Sequence, residues 1–387
     1  MTAPHIAVLF EFPTLNGGEH SMLSVVEQLH AQERFRFSII APPTGPLAEK
    51  IGELKLPLVA FSVRDTNGTK RQNVELLEEL SSVLDTVQPD VLHANSLSMS
   101  RLIGQMSTTT SRSFQRTGHL RDIIGLSKKV IADLNSNNRL VAVSDATRNF
   151  HIDQGLDPAR CQKIYNGVDT DQFFPLGEEE AGDPAKELRS RVLPSIPSTA
   201  RVVLNVGQIC LRKGQLDVAQ AVCRLLDGRD DIHLVLAGER NSGKQESIDF
   251  EQAIHDAFAS AGHSDHLHRI GYQENIADLM RCCDLLVHAA RQEPLGRVLL
   301  EAAASGLPIV ATNVGGTAEI LRDKADAQLV PASNPEALAS AIQILIDDEN
   351  AMNRYAKSAR SRIVSTFSLA QATEHLATFW ESQIQNQ

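Results

Sequence analysis

Short apolar runs rich in β-branched residues alternate with segments of helical periodicity along most of the chain. Residues 6–10, 37–41, 91–93 and 140–143 read as strands, and residues 17–30 and 74–87 as helices. Ser144 can accept a hydrogen bond from a free first-turn N–H, which predicts a helix running into Gln154. The pattern restarts near residue 200. Strands are predicted over 202–206, 234–237, 285–288 and 309–312, with helices over 215–226, 248–259 and 298–304 between them. Strands that are apolar on both faces and separated by helices predict parallel sheets covered on each side. Two such series predict an α/β chain of two doubly wound, Rossmann-like domains rather than one barrel.

The break between the series falls where turn formers and charge accumulate, in GEEEAGD (177–183) and PSIPSTA (194–200). A linker is expected at about 168–200, with one domain over 1–175 and a second over 176–365. Residues 335–387 are almost wholly helical in pattern, and 366–387 form the closing helix. Phe367, Leu369, Ala372, Leu376 and Phe379 fit one packed face of that helix.

Composition agrees with two folded domains. The length of 387 residues fits two units at about 150 residues each, and 42% apolar residues can fill their cores. No apolar run approaches the length of a spanning helix. The start, MTAPHIAVLF, has no basic segment before its apolar stretch and reads as a first strand. Five scattered cysteines (Cys161, Cys210, Cys223, Cys282, Cys283) show no zinc-finger spacing, and a reducing, cytoplasmic location is expected. Cys282 and Cys283 read as core. The net charge of −11 disfavours a nucleic-acid partner. Most of it belongs to the second half, since residues 1–175 hold 17 basic and 19 acidic residues. Residues 94–148 hold eight basic residues and three acidic ones. That surplus is a solvated face or a rim for an anionic acceptor, and it permits peripheral contact with the inner face of a membrane.

The stretch richest in chemistry is QEPLGRVLLEAAASGLPIVATNVGGTAE, residues 292–319. Glu293 precedes Pro294, Leu295 and Gly296, where a helix should start with Pro in its first turn and free N–H groups facing a phosphate. Glu301 follows Glu293 after seven intervening residues and lies on that helix, where its carboxylate could accept from both hydroxyls of a ribose. The strand at 309–312 leads into Gly315-Gly316-Thr317, a second glycine-assisted helix start. A glutamate near a helix start can simply complement the dipole, and glycines can simply turn the chain. The ordered combination over 27 residues, from Glu293 to Glu319, is harder to explain by turns alone.

This run resembles the signature of the retaining glycosyltransferases of family 4. The resemblance implies the GT-B fold, two facing Rossmann-like domains with a nucleotide-sugar donor in the cleft. It implies that Glu293 contacts the donor sugar and Glu301 the nucleotide ribose. Asn16-Gly17-Gly18-Glu19 is similar to the family's N-terminal loop beside the donor diphosphate. His119, in Gly118-His119-Leu120-Arg121-Asp122, resembles its active-site histidine. Val143-Ser144-Asp145-Ala146 is similar to the helix start after the family's sixth strand, and Ile164-Tyr165-Asn166-Gly167-Val168-Asp169 matches the segment that ends its first domain. Val206-Gly207 through Lys213-Gly214 resembles the opening of the second, except that Gln208 stands where the family often has Arg. An amide cannot offset phosphate charge as a guanidinium does. Arg212, beside Lys213, is a candidate substitute. His93 reads as structural.

The function implied is transfer of a sugar from a nucleoside-diphosphate sugar to the hydroxyl of a glycan, glycolipid or small molecule, with retention, in carbohydrate biosynthesis. The first domain would be the acceptor side, and the closing helix would cross back to brace it. No D-x-D motif stands at a strand end, so neither metal nor cofactor is expected. An epimerase or phosphorylase on the same fold, and a degenerate sugar-nucleotide-binding protein, are the alternatives. A dehydrogenase should show G-x-G-x-x-G after its first strand, and EFPTLNGGEH lacks it.

Overall fold

The computed structural model describes residues 3–106, 114–177 and 184–385. Most of the GEEEAGD segment, and Arg112 of the basic stretch, lie outside the described residues. The chain divides into two compact units, Met1–Gly167 with Leu369–Gln387, and Val168–Ser368.

The first unit holds one parallel sheet of seven strands: β1 (His5–Leu9), β2 (Arg36–Ala41), β3 (Leu58–Ala60), β4 (Val91–Ala94), β5 (Gln115–Leu120), β6 (Arg139–Ala142) and β7 (Cys161–Lys163), in the order β3-β2-β1-β4-β5-β6-β7. Every residue of β1 is buried, because successive side chains enter different cores. Ile6 and Val8 face a core shared with helix Gly17–Ala31 and with Leu376, Phe379 and Trp380 of helix Leu369–Gln385. Ala7 and Leu9 face a second core filled by Leu76, Leu80, Leu84, Leu102 and Ile103. The Trp380 ring meets Phe35 and Phe37 edge-on, with centroids 5.9 and 6.1 Å away. Arg34 clamps the same helix through Glu374 and Glu381.

The second unit holds six parallel strands: β8 (Arg201–Val206), β9 (Ile232–Ala237), β10 (Leu267–Gly271), β11 (Leu285–His288), β12 (Ile309–Thr312) and β13 (Gln328–Val330), in the order β10-β9-β8-β11-β12-β13. Val203, Leu234, Leu236, Leu285 and Val287 form its core with Val218, Val222, Phe250, Ile254, Leu338 and Ile342. Buried Asn205 ties β8 to β11 by donating to the Val287 carbonyl at 2.7 Å.

Three local expectations are corrected. Residues 184–200 are not a free linker. Helix Pro184–Val192 docks through buried Arg189, which donates to the Cys282 and Ala200 carbonyls and pairs with Asp284 at 2.8 Å. Phe367 does not lie on the closing helix, which begins at Leu369; its carbonyl accepts from Val168 N–H instead. Pro294 is not in a first helical turn. The helix is Arg297–Ala304, capped by Gly296 at φ 105°, and Pro294 and Leu295 form a bend before it.

Candidate functional site

In an open parallel sheet, ligands bind beyond the strand C-termini where the strand order reverses. In the second unit that point lies between β8 and β11. The loops leaving these strands carry Gln208, Arg212 and Lys213 on one side, and Glu293 with Pro294 and Leu295 on the other. They meet directly, as Lys213 Nζ lies 2.6 Å from Glu293 Oε2. His288, the last residue of β11, places Nε2 at 2.9 Å from the same oxygen. Burial would raise the Glu293 carboxyl, but the Lys213 charge and the His288 hydrogen bond overcome it and hold it well below the usual carboxylate range. Burial keeps His288 below its ordinary value, with partial relief from Glu293, so the neutral ring donates its Nε2–H.

The backbone around Glu293 is fixed by its neighbours. Gly316 N–H donates to the Glu293 carbonyl at 2.9 Å. A Cβ on Gly315 would lie 1.9 Å from that carbonyl oxygen, and one on Gly316 would lie 2.5 Å from the Pro294 oxygen. The Gly-Gly pair therefore lets the Glu293 loop lie against the chain after β12. The helix that follows it is only four residues long, Thr317–Ile320. On the other side Arg212 holds the loop, its carbonyl accepting from Arg291 N–H and its Nη1 lying 3.3 Å from the Gln292 carbonyl. Arg212 and Gln208 are exposed. Glu301 is buried on the following helix, paired with Arg297 at 2.6 Å. Burial raises its carboxyl, with Arg297 opposing the rise.

In the first unit the corresponding reversal lies between β1 and β4. Helix Gly17–Ala31 starts after β1, and Asn95, after β4, donates Nδ2–H to the Gly18 carbonyl at 3.1 Å. Arg121, after β5, donates to Asn95 Oδ1 at 2.9 Å and to Asn166 Oδ1 at 2.8 Å. Its side chain runs under Gly18, where a Cβ would stand 3.2 Å from Arg121 Cδ. Burial pushes the Arg121 guanidinium down to about 10 and raises the Glu19 carboxyl. His119, one residue before the end of β5, is 3% exposed, with Nδ1 at 2.7 Å from His93 Nε2. Ser144 caps helix Asp145–Ile152 by accepting from Thr147 N–H.

Lys213 and Glu293 are thus in contact, and Glu301 has its own cation. Gln208 and Arg212 make no contact with Lys213's partner carboxylate. His288, Arg297, Asn95, Arg121 and Trp380 were not assigned from sequence. His288 could have been found as the polar end of an apolar strand, five residues before Glu293.

Two family models match, Glycosyl transferases group 1 over residues 189–362 and Glycosyltransferase Family 4 over residues 15–172. A protein with this fold and site falls in the class of GT-B glycosyltransferases. The chain belongs to glycosyltransferase family 4. It is 30% identical over 253 residues to alpha-maltose-1-phosphate synthase of Mycobacterium tuberculosis, 61% of each chain. It is 27% identical over 227 residues to spore coat protein SA of Bacillus subtilis, 58% of this chain and 59% of that protein. It thus spans roughly 60% of these relatives. Among solved structures, Anabaena Alr3699/HepE in complex with UDP and glucose shares the fold, with a TM-score of 0.84 at 20% identity, covering 98% of this chain and 100% of that one. Among the described residues, no helix is long and apolar enough to cross a membrane.

Proposed function

We propose that the protein transfers a glycosyl group from a nucleoside-diphosphate sugar to a hydroxyl acceptor with retention of anomeric configuration. The observation that carries this reading is the Lys213–Glu293–His288 cluster at the switch point of the second sheet, with Glu301 on the adjoining helix. Glu293, kept ionised, accepts from hydroxyls of the donor sugar. Glu301 accepts from the ribose hydroxyls, its charge supported by Arg297. Lys213 and backbone N–H groups stabilise negative charge on the departing diphosphate. In the first unit Gly17, Gly18 and His119 serve the same reaction.

The bond from the anomeric carbon to the diphosphate oxygen breaks as the acceptor oxygen attacks from the same face. The acceptor's proton passes to the leaving phosphate, so no protein base is consumed. The scheme uses no resident metal or cofactor. The test is turnover of a panel of UDP-, GDP- and ADP-linked sugars with hydroxyl acceptors, the product read by proton NMR. Nucleoside diphosphate release with a retained linkage is expected, and an inverted linkage refutes the reading. A binding protein without turnover is the second reading, favoured by Gln208. It predicts that the panel raises thermal stability but releases no nucleotide.

A further inference from the structure

His119 belongs to a buried chain of rings whose far end is Trp380. The Trp380 indole Nε1 lies 3.2 Å from His93 Nδ1. An indole N–H can only donate, so His93 Nδ1 offers its lone pair and carries no hydrogen. Thr117 Oγ1 lies 2.9 Å from the same nitrogen and can donate to it, or turn toward the Leu92 carbonyl at 3.4 Å. Neither choice places a hydrogen on Nδ1. The neutral His93 ring must then carry its hydrogen on Nε2, 2.7 Å from His119 Nδ1. His119 Nδ1 accepts, and a neutral His119 carries its own hydrogen on Nε2. That nitrogen has no hydrogen-bond partner among the described residues and is not one of the sealed, unpartnered polar atoms.

The rings also pack edge-on, with centroids 4.9 Å apart for the two histidines and 5.3 Å for His93 and Trp380. Burial, and then the Arg121 charge, push His93 down to about 3. Burial, Arg121 and His93 together hold His119 well below its ordinary value. Neither ring takes up a second proton near neutral pH.

We propose that Trp380, acting through His93, fixes the tautomer of His119, so that His119 meets the substrate as a hydrogen-bond donor and not as a base. Trp380 and His93 are positioning residues for the reaction. The proposal rests on the reading that His119 serves glycosyl transfer. A donor at the C-terminal edge of β5 suits an oxygen of the substrate, a sugar hydroxyl or a phosphate oxygen. It cannot take the acceptor's proton, because its only lone pair is engaged by His93.

The test is a multiple-bond proton–nitrogen spectrum of the full chain with ring-labelled histidine at pH 7, assigned with His93→Gln and His119→Gln. Both rings are expected as neutral Nε2–H tautomers. In Trp380→Phe the aromatic packing is kept and the N–H is lost. His93 and His119 should then become mixtures of tautomers. The turnover rate should fall about 5- to 10-fold, the loss of one hydrogen bond, with the donor KM unchanged. A His119 found as Nδ1–H or imidazolium in the unaltered chain overturns the proposal, and needs no variant to fold. Unchanged tautomers in Trp380→Phe overturn it as well. If the tautomers are as stated but no nucleotide sugar turns over, the tautomer lock stands and the glycosyl-transfer reading fails.

Discussion

Lys213 Nζ and Glu293 Oε2 stand 2.6 Å apart at the switch point of the second sheet, both largely shielded from water. The carboxylate thereby neutralises the cation proposed to meet the diphosphate. Lysine has three donor hydrogens and can share them, yet a diphosphate must still compete with Glu293. Glu293→Gln keeps the size and removes the charge. Transfer should fall by about 100-fold or more, as when a preorganised polar group of an active site is lost. Nucleoside diphosphate binding, read by calorimetry, should tighten. Lys213→Ala should lose both transfer and binding. If Glu293→Gln binds nucleoside diphosphate more weakly than the parent protein does, this account of the pair is refuted.

Gly315 supports the same loop from below. Its φ is 52°, and an added Cβ would lie 1.9 Å from the Glu293 carbonyl oxygen. Gly315→Ala must move the Glu293 backbone and occupy a left-handed conformation, at a cost of about 1–3 kcal/mol. A shift of ~1 Å in a positioned carboxylate can cost ~100-fold in rate. The expected result is a folded protein of lowered melting temperature with little turnover. Gly52→Ala is the control, since nothing lies within 4 Å of its added Cβ. Equal turnover in the two variants would show that Gly315 does not place Glu293.

Buried histidines set the acid limit of stability. Burial lowers His93 to about 3 and His233 to about 4, and lowers His119, His151, His268 and His288 as well. The unfolded chain binds a proton at each near pH ~6.5, while the folded chain binds it only at lower pH. Stability is therefore complete above about pH 6.5 and falls as the pH drops toward the folded values. At pH ~5.5 His93 alone costs about 1.4 kcal/mol, and the other lowered rings add to that loss. Urea unfolding at about pH 7.5 and 5.5 should show a clear loss well above the range where carboxylates titrate. A flat profile across that interval would contradict the burial of these rings.

The alternation of apolar strands with helices marked eight of the thirteen described strands, among them β1 and β11, which are buried on both faces, and missed the sheet-edge strands β3, β7, β10 and β13. β5 left no such trace. Its sequence, QRTGHL, is polar, and its side chains are satisfied by particular partners: Thr117 meets His93 of β4, which Trp380 also meets. A periodicity argument cannot see partners 24 or 287 residues away. The spacing of Glu293 and Glu301 marked the right loop and helix, but not what each carboxylate touches. Lys213 is 80 residues from Glu293 in sequence and meets it only because β8 and β11 are neighbours. The Gly-Gly pair reads as a helix start, and helix Thr317–Ile320 does follow it. The contact of Gly315 and Gly316 with the Glu293 loop depends on the β11–β12 pairing, which a local motif does not contain.

Gln208 offers the last prediction. It lies in the loop after β8, exposed, and its carbonyl accepts from Gln215 Nε2 at 2.9 Å. That bond uses only the backbone, so a new side chain at 208 leaves the loop's anchor in place. The neighbouring Gly207 would put an added Cβ 3.8 Å from Lys213 Cε, so the loop backbone passes close to the lysine. A guanidinium at 208 adds a positive charge and a planar pair of donors near the group proposed to hold the diphosphate. Arg212 does not already supply this, since its nearest oxygen partner is the Gln292 carbonyl. Gln208→Arg should tighten nucleoside diphosphate binding by about 10-fold, the worth of one charge-assisted hydrogen bond. The gain should shrink as salt is raised, because an exposed charge is screened. Calorimetry at low and high salt reads both effects. An unchanged or weaker affinity would mean that residue 208 does not face the phosphates, and that the departure from the family pattern at this position carries no cost.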